Sequence, residues 1–319
     1  MICNPGAANM RRDAEGEKSM SDRWAVLQLQ MNGLELTMLP GIGGRLWDVT
    51  FQGRSLLFQN PDLDGLSVDE ANLAGLPTRS PQFGFPLWGG EKTWIAPDTS
   101  WTDGAPYPAL DSGAYQVASS SDDHVEMTSP VCPICHLAVT RRITLKTANS
   151  WTIDHAVTNH GHSPRLTGIW SVMMIDAPAR IGVAMENPTI HPVFGSAGPL
   201  VSRHRGCVVA NCSRKQEFKV GLPNPGGETL IGFDKGELWM MCSVPKAEQG
   251  DRYAHRHPVE VFNSGDYAYC EAEWHSPAVK LMRGDTLNFQ QEFRIWTDED
   301  PSGAPESITT NGEFLSCMS

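Results

Sequence analysis

Two stretches far apart in the chain hold the residues best suited to chemistry. The first runs Phe85-Pro86-Leu87-Trp88-Gly89-Gly90-Glu91-Lys92-Thr93-Trp94-Ile95-Ala96-Pro97-Asp98, with Trp101 and Asp111 beyond it. A pyranose offers an apolar C–H face for stacking and hydroxyls at its rim, so flat aromatic surfaces beside charged hydrogen-bonding groups suit a sugar. The same residues also read as a loop folded back with its tryptophans plugging a core. The second stretch is Tyr267-Ala268-Tyr269-Cys270-Glu271-Ala272-Glu273-Trp274-His275-Ser276-Pro277, preceded by Val259-Glu260-Val261-Phe262. As a strand it places Tyr267, Tyr269, Glu271 and Glu273 on one face and Ala268, Cys270, Ala272 and Trp274 on the other. Two carboxylates side by side can serve as general base or acid if burial or like charge raises one pKa; otherwise they are ordinary surface acids.

Other candidates are less specific. His160 and His162, in Asn159-His160-Gly161-His162-Ser163-Pro164, sit on a turn after a strand, where they could act as acid, bind metal, or simply be solvated. His255 and His257 leave the same choice open. Lys219 either reaches the site or stays on the surface. Cys132-Pro133-Ile134-Cys135-His136 looks like half a zinc site, but no second Cys-x-x-Cys follows, so a pair of ordinary thiols is the reading adopted. No metal and no organic cofactor is expected. A phosphate loop, a serine nucleophile elbow and a dinucleotide fingerprint are all absent, which leaves phosphoryl transfer, esterase and hydride chemistry without support.

The elements that must position these groups show a period of two. Leu137, Val139, Ile143 and Leu145 alternate with Thr140, Arg142, Thr144 and Lys146, and Leu287, Phe289, Phe293 and Ile295 alternate with Asn288, Gln290, Glu292 and Arg294. Further strands are expected near residues 24–31, 34–39, 45–51, 124–127, 151–159, 166–174, 237–244, 259–263 and 267–274. Turn signals such as Asn32-Gly33, Gly43-Gly44 and Ser264-Gly265-Asp266 separate them. Amphipathic helical patterns are nearly absent, and 30 Gly and 23 Pro punctuate the chain, so the fold class is all-β, a sandwich or barrel. Residues 60–108 read as one long irregular connection, a length that is usually functional or disordered, and its content argues for function.

With 319 residues, 40% hydrophobic and 19% charged, the chain can bury a large core. Lys plus Arg total 25 against 37 Asp plus Glu, a net charge of −12, which argues against a nucleic-acid surface. No apolar run is long enough for a membrane span, and the eight scattered cysteines do not form a disulfide framework. A soluble cytoplasmic protein, monomer or homodimer, is expected. Residues 1–22 read as a polar N-terminal tail, 23–297 as one domain and 298–319 as a flexible C-terminal tail.

The segment Leu34-Glu35-Leu36-Thr37-Met38-Leu39-Pro40-Gly41-Ile42-Gly43-Gly44-Arg45-Leu46 resembles the opening strand and Gly-Gly-Arg turn of the galactose mutarotase (aldose 1-epimerase) superfamily. Glu271 through Pro277, followed by Leu281-Met282-Arg283-Gly284-Asp285-Thr286, is similar to that superfamily's acidic strand and the turn before its last strand. The order of elements between them fits as well, so the resemblance spans about residues 24–296. It implies a β-supersandwich of large antiparallel sheets with a concave sugar-binding face. It also implies a glutamate that takes the proton of the anomeric hydroxyl and a histidine that protonates the ring oxygen.

Glu271 matches the base. The family's Leu-His-Gly-Gly reads Leu87-Trp88-Gly89-Gly90 here, and its second histidine has no counterpart near Ile169-Trp170-Ser171-Val172. The chain thus looks like a branch lacking the usual catalytic histidines, with Gly-Gly-Glu-Lys-Thr-Trp as its hallmark. The expected catalytic set is Glu271 with Lys92 or His162 as acid. The expected substrate ligands are Arg45, Trp88, Glu91, Trp94, Trp101, Lys219 and Glu273, around a monosaccharide or sugar-acid substrate. A non-catalytic carbohydrate-binding protein, or a lyase or hydrolase relative, is the alternative.

Overall fold

A computed structural model describes residues 23–78, 83–204, 206–233, 237–310 and 313–318. The expected N-terminal tail, 1–22, lies outside the described residues. The chain opens with β1 (Leu27–Met31), β2 (Leu34–Leu39), β3 (Arg45–Phe51) and the two-residue β4 (Arg54–Ser55), then reaches β5 (Glu91–Ala96). A meander follows: β6 (Gln116–Ser120), β7 (His124–Thr128), β8 (Leu137–Thr147) and β9 (Ser150–Asn159). Next come β10 (Arg165–Asp176), β11 (Ala179–Ala184), β12 (His191–Gly195), β13 (Val201–His204) and β14 (Cys207–Cys212). The rest supplies β15 (Phe218–Leu222), β16 (Glu228–Phe233), β17 (Leu238–Ser243), β18 (Val259–Asn263), β19 (Tyr269–His275), β20 (Val279–Leu281) and β21 (Thr286–Thr297).

Among the described residues these strands form an 11-stranded and a 10-stranded sheet. The first runs β1-β2-β3-β5-β10-β19-β18-β15-β12, with β20 beside β10 and β4 beside β3. The second runs β13-β14-β11-β16-β17-β21-β9-β8-β7-β6. The all-β expectation holds, and no described helix is long and apolar enough to cross a membrane.

Strand alternation explains the layering. On β19, Cys270, Ala272 and Trp274 enter the core between the sheets, while Tyr269 joins the aromatic cluster on the outer face. Trp274 meets Phe293 of the opposite sheet edge to face at 5.8 Å, and Phe293 stacks on Trp151 at 5.0 Å. The second sheet leaves its outer face to the C-terminal segment. There the sequence misleads: Glu306–Thr310 and Glu313–Met318 are two short helices, and Ile308, Phe314 and Met318 are buried against Val209, Leu230 and Trp239. A few well-spaced apolar residues anchor a segment whose overall composition is that of a tail.

The 60–108 stretch also differs from expectation, because it contains β5, a central strand paired with β10 along its length. Gly89 and Gly90 let the chain enter that strand. Both have positive φ, +113° and +69°, and a Cβ on Gly89 would sit 2.2 Å from the Phe58 carbonyl oxygen. Gly89→Ala is expected to cost about 1–3 kcal/mol from backbone strain alone, read as a lower denaturant midpoint at unchanged m-value. Gly75→Ala, where a side chain meets open space, serves as the comparison and leaves the midpoint unchanged.

Candidate functional site

The outer face of the first sheet collects charged side chains in rows set by strand register. One row crosses four strands, Lys92 on β5, Val172 on β10, Glu273 on β19 and Glu260 on β18, and continues to Gly221 on β15. A parallel row holds Met174, Glu271, Phe262 and Lys219, and another holds Trp94, Trp170 and His275. Burying this many charges is tolerable only where each finds a partner. Lys92 Nζ lies 3.4 Å from Glu271 Oε1, joining residues 179 positions apart in sequence. Lys219 Nζ bridges Glu273 Oε2 at 2.8 Å and Glu260 Oε2 at 2.9 Å. Trp170 Nε1 donates to Glu273 Oε2 at 2.7 Å.

Aromatic rings wall this floor. Trp101 is stacked on Trp170 at 5.6 Å and meets Trp94 edge on at 5.2 Å; Phe85 closes against both Trp94 and Trp101. Lys92 Nζ sits 4.4 Å from the Trp94 ring centre and Lys219 Nζ 4.7 Å from that of Trp170, both within cation–π range. A small cavity remains, bordered by Phe83, Phe85, Leu87, Trp94, Trp170, Phe194, Lys219, Phe262, Tyr269 and Glu271. An open groove along β12 adjoins it, sharing Phe194 and Lys219.

The environment sets the charge states. Burial lowers the Lys92 pKa, and the Glu271 carboxylate opposes that only in part. Burial raises the Glu273 carboxyl to about 7 against the pull of Lys219, and its Oε1 is buried without a hydrogen-bond partner. For Glu260 burial also works upward, but Lys219, His255 and His275 outweigh it and hold the carboxyl well below its usual range. Burial would lower the His255 imidazole, but bonds to Asp98 and Glu260 prevail and raise it to about 9.

The structure therefore brings together Glu271, Lys92, Trp94, Trp101, Lys219 and Glu273. Four other expected residues lie elsewhere. Glu91, one residue before Lys92 on β5, points to the opposite side of the sheet, where its carboxylate pairs with Arg141 and accepts from Ser171 Oγ at 2.9 Å. Arg45 is buried against Asp111, 2.7 Å away, and Asp111 in turn accepts from Trp94 Nε1 at 2.7 Å. Arg45 thus props Trp94 from behind. Trp88 is fully buried beside Trp24 and donates from Nε1 to Ser112 Oγ at 2.9 Å; it is a core plug, as the alternative reading of this stretch held. His162 is exposed on the turn before β10 with Arg283 beside it, while Glu271 pairs near the far end of that strand at Met174. Nine residues of strand, roughly 30 Å, separate the two ends.

Sequence reasoning missed Trp170, Tyr269, Glu260 and His275 as site residues. Their signal was the same alternation that placed Glu271 and Glu273, continued two residues further on β19 and carried across to β18 and β10.

No protein family's sequence profile and no curated protein matches this chain. Solved structures do. A galactose mutarotase-like protein from Lactobacillus casei superposes with a TM-score of 0.57 at 9% identity, covering 85% of this chain and 100% of the other. A galactose mutarotase related enzyme from Lactobacillus acidophilus gives 0.57 at 9% identity, covering 86% and 99%. A candidate aldose 1-epimerase from Escherichia coli K12 gives 0.56 at 13% identity, covering 86% and 99%. Two large antiparallel sheets in this arrangement, matched over nearly the whole length of those proteins, give the chain the galactose mutarotase-like β-sandwich fold.

Proposed function

We propose that the aromatic cavity binds a monosaccharide or sugar acid and speeds the exchange of its anomers by paired acid–base catalysis, with Glu271 as base and Lys92 as acid. The observation that carries this reading is the Lys92–Glu271 pair, a proton donor and an acceptor 3.4 Å apart beside a tryptophan-walled cavity. A cyclic sugar carries its anomeric hydroxyl and its ring oxygen on one carbon. A donor and an acceptor set close together can therefore reach both oxygens at once.

The Glu271 carboxylate takes the proton of the anomeric hydroxyl while Lys92 delivers one to the ring oxygen. The bond between anomeric carbon and ring oxygen breaks, the open-chain aldehyde forms, and rotation about the adjacent carbon–carbon bond precedes closure on either face. The reverse transfers restore both side chains, so no cofactor is consumed. Burial of Lys92 favours this role, because a lowered ammonium pKa makes it a stronger acid. The fold likeness to proteins named as mutarotase-like supports the substrate class.

Saturation-transfer NMR between the two anomeric proton signals, run over a panel of neutral and acidic sugars, tests the reading. Accelerated exchange is expected for at least one sugar; binding without acceleration for any of them identifies a silent carbohydrate-binding cleft instead. The working form has Lys92 protonated, and its folded pKa is depressed, so activity is expected to fall with rising pH through a value below the ordinary lysine 10.5. An alkaline limb at or above 10.5 contradicts Lys92 as the acid.

A further inference from the structure

Beyond the sugar reading, and independently of it, we propose that His255, Glu260 and His275 form a binding site for one divalent transition-metal ion beside the cavity. Among the described residues this is the cluster of three potential ligands whose donor atoms all lie within 4.8 Å of one another. Glu260 Oε2 is the shared point, with His275 Nε2 at 3.3 Å and His255 Nδ1 at 3.4 Å. As hydrogen bonds to a carboxylate both are long, since N–H···O contacts centre near about 2.9 Å. As edges of a coordination polyhedron they fit: donors held about 2.1 Å from a tetrahedral ion stand about 3.4 Å apart.

The surroundings favour this use. The outer nitrogen of His255, Nε2, faces Asp98, whose backbone N–H lies at 3.3 Å and whose carboxylate lies at 3.5 Å, so a residue outside the cluster stands on the side of the ring away from Glu260. Both imidazoles are also held against Trp170, His275 nearly parallel to it at 5.5 Å and His255 edge on at 4.4 Å, so their direction is fixed before any ion arrives. Two imidazoles and one carboxylate suit Zn²⁺, Co²⁺ or Fe²⁺ better than the all-oxygen preference of Ca²⁺ or Mg²⁺. Three protein donors leave at least one coordination position for water or a ligand oxygen. Lys219 Nζ, 2.9 Å from the same Glu260 oxygen, holds that carboxylate in the metal-free state and keeps Glu273 as its second partner when an ion takes over.

Titrating Co²⁺ into the metal-stripped full chain, followed by its visible absorption, reads the site directly, with Zn²⁺ calorimetry for affinity. One equivalent is expected to bind. His275→Ala and His255→Ala are each expected to weaken it at least 100-fold, while Cys132→Ser/Cys135→Ser, which removes the thiol pair buried in the core between the sheets, leaves it unchanged. His255 stands at the rim with only 11% of its side chain exposed, and His255→Gln provides a second, milder variant whose melting temperature checks folding. Absence of stoichiometric binding, or binding that survives both histidine variants and disappears with the cysteines, overturns the proposal.

Discussion

Glu271→Gln and Lys92→Met are each expected to slow anomeric exchange by about 10²–10⁴-fold, the usual contribution of a positioned acid or base. Glutamine keeps the volume and hydrogen-bonding reach of Glu271 but cannot accept the hydroxyl proton, so the loss falls on kcat with KM little changed. Methionine keeps the length of the Lys92 stem against Trp94 while removing the proton donor. If the two side chains serve the two oxygens of one anomeric carbon, as proposed, the double variant is expected to lose little more than either single one, the signature of groups that work as a unit. Saturation-transfer rates for the three variants check this, with thermal melts confirming that each is folded. Wild-type exchange in either single variant removes that residue from the chemistry.

The second large effect concerns stability. Glu91→Ala is expected to destabilise the protein by about 3–5 kcal/mol, because it strands the Arg141 guanidinium in the layer between the sheets without a counter-charge. Neither side chain has any solvent exposure, and Arg141 otherwise meets the Gly44 carbonyl oxygen at 2.7 Å. Replacing both, Glu91→Met with Arg141→Met, is expected to recover much of the loss, since the cost lies in an unpaired buried charge more than in the missing attraction. Denaturant midpoints measure both. A Glu91→Ala protein within about 0.5 kcal/mol of wild type, the scatter of an innocuous surface change, contradicts the assignment of Glu91 to the interior and restores it as a candidate ligand of the cavity.

The strands β19 and β5 mark where the sequence was readable and where it was not. The β19 strand was legible because its outward residues, Tyr269, Glu271, Glu273 and His275, alternate with Cys270, Ala272 and Trp274, and the structure keeps that phase. β5 was not legible. Its residues Glu91-Lys92-Thr93-Trp94-Ile95-Ala96 are buried on both faces, with a charged side chain on each, so neither alternation nor a continuous apolar run marks it as a strand. Its neighbours Gly89, Gly90 and Pro97 are residues that otherwise punctuate loops. Consecutive Glu91 and Lys92 looked like two ligands of one site, whereas strand geometry sends them to opposite faces.

Long-range pairing hid the rest. Lys219 acquires its role only when β15 lies beside β18, which sets its ammonium between Glu260 and Glu273. His255 enters from the connection before β18, and nothing in the local sequence distinguishes it from His257. Trp88 stands where the resembled superfamily has a histidine, and the structure takes the core-plug alternative for it: a fully buried indole bonded to Ser112 is part of the support behind the cavity and not of its lining.

The most direct measurement of the central claim is a crystal structure of the protein soaked with a sugar that NMR has identified as a ligand. The sugar ring is expected against the Trp94, Trp170 and Phe85 walls, with its anomeric hydroxyl at the Glu271 carboxylate and its ring oxygen at Lys92 Nζ. A sugar seated only in the open groove along β12, with Lys92 and Glu271 still closed on each other and out of its reach, contradicts it.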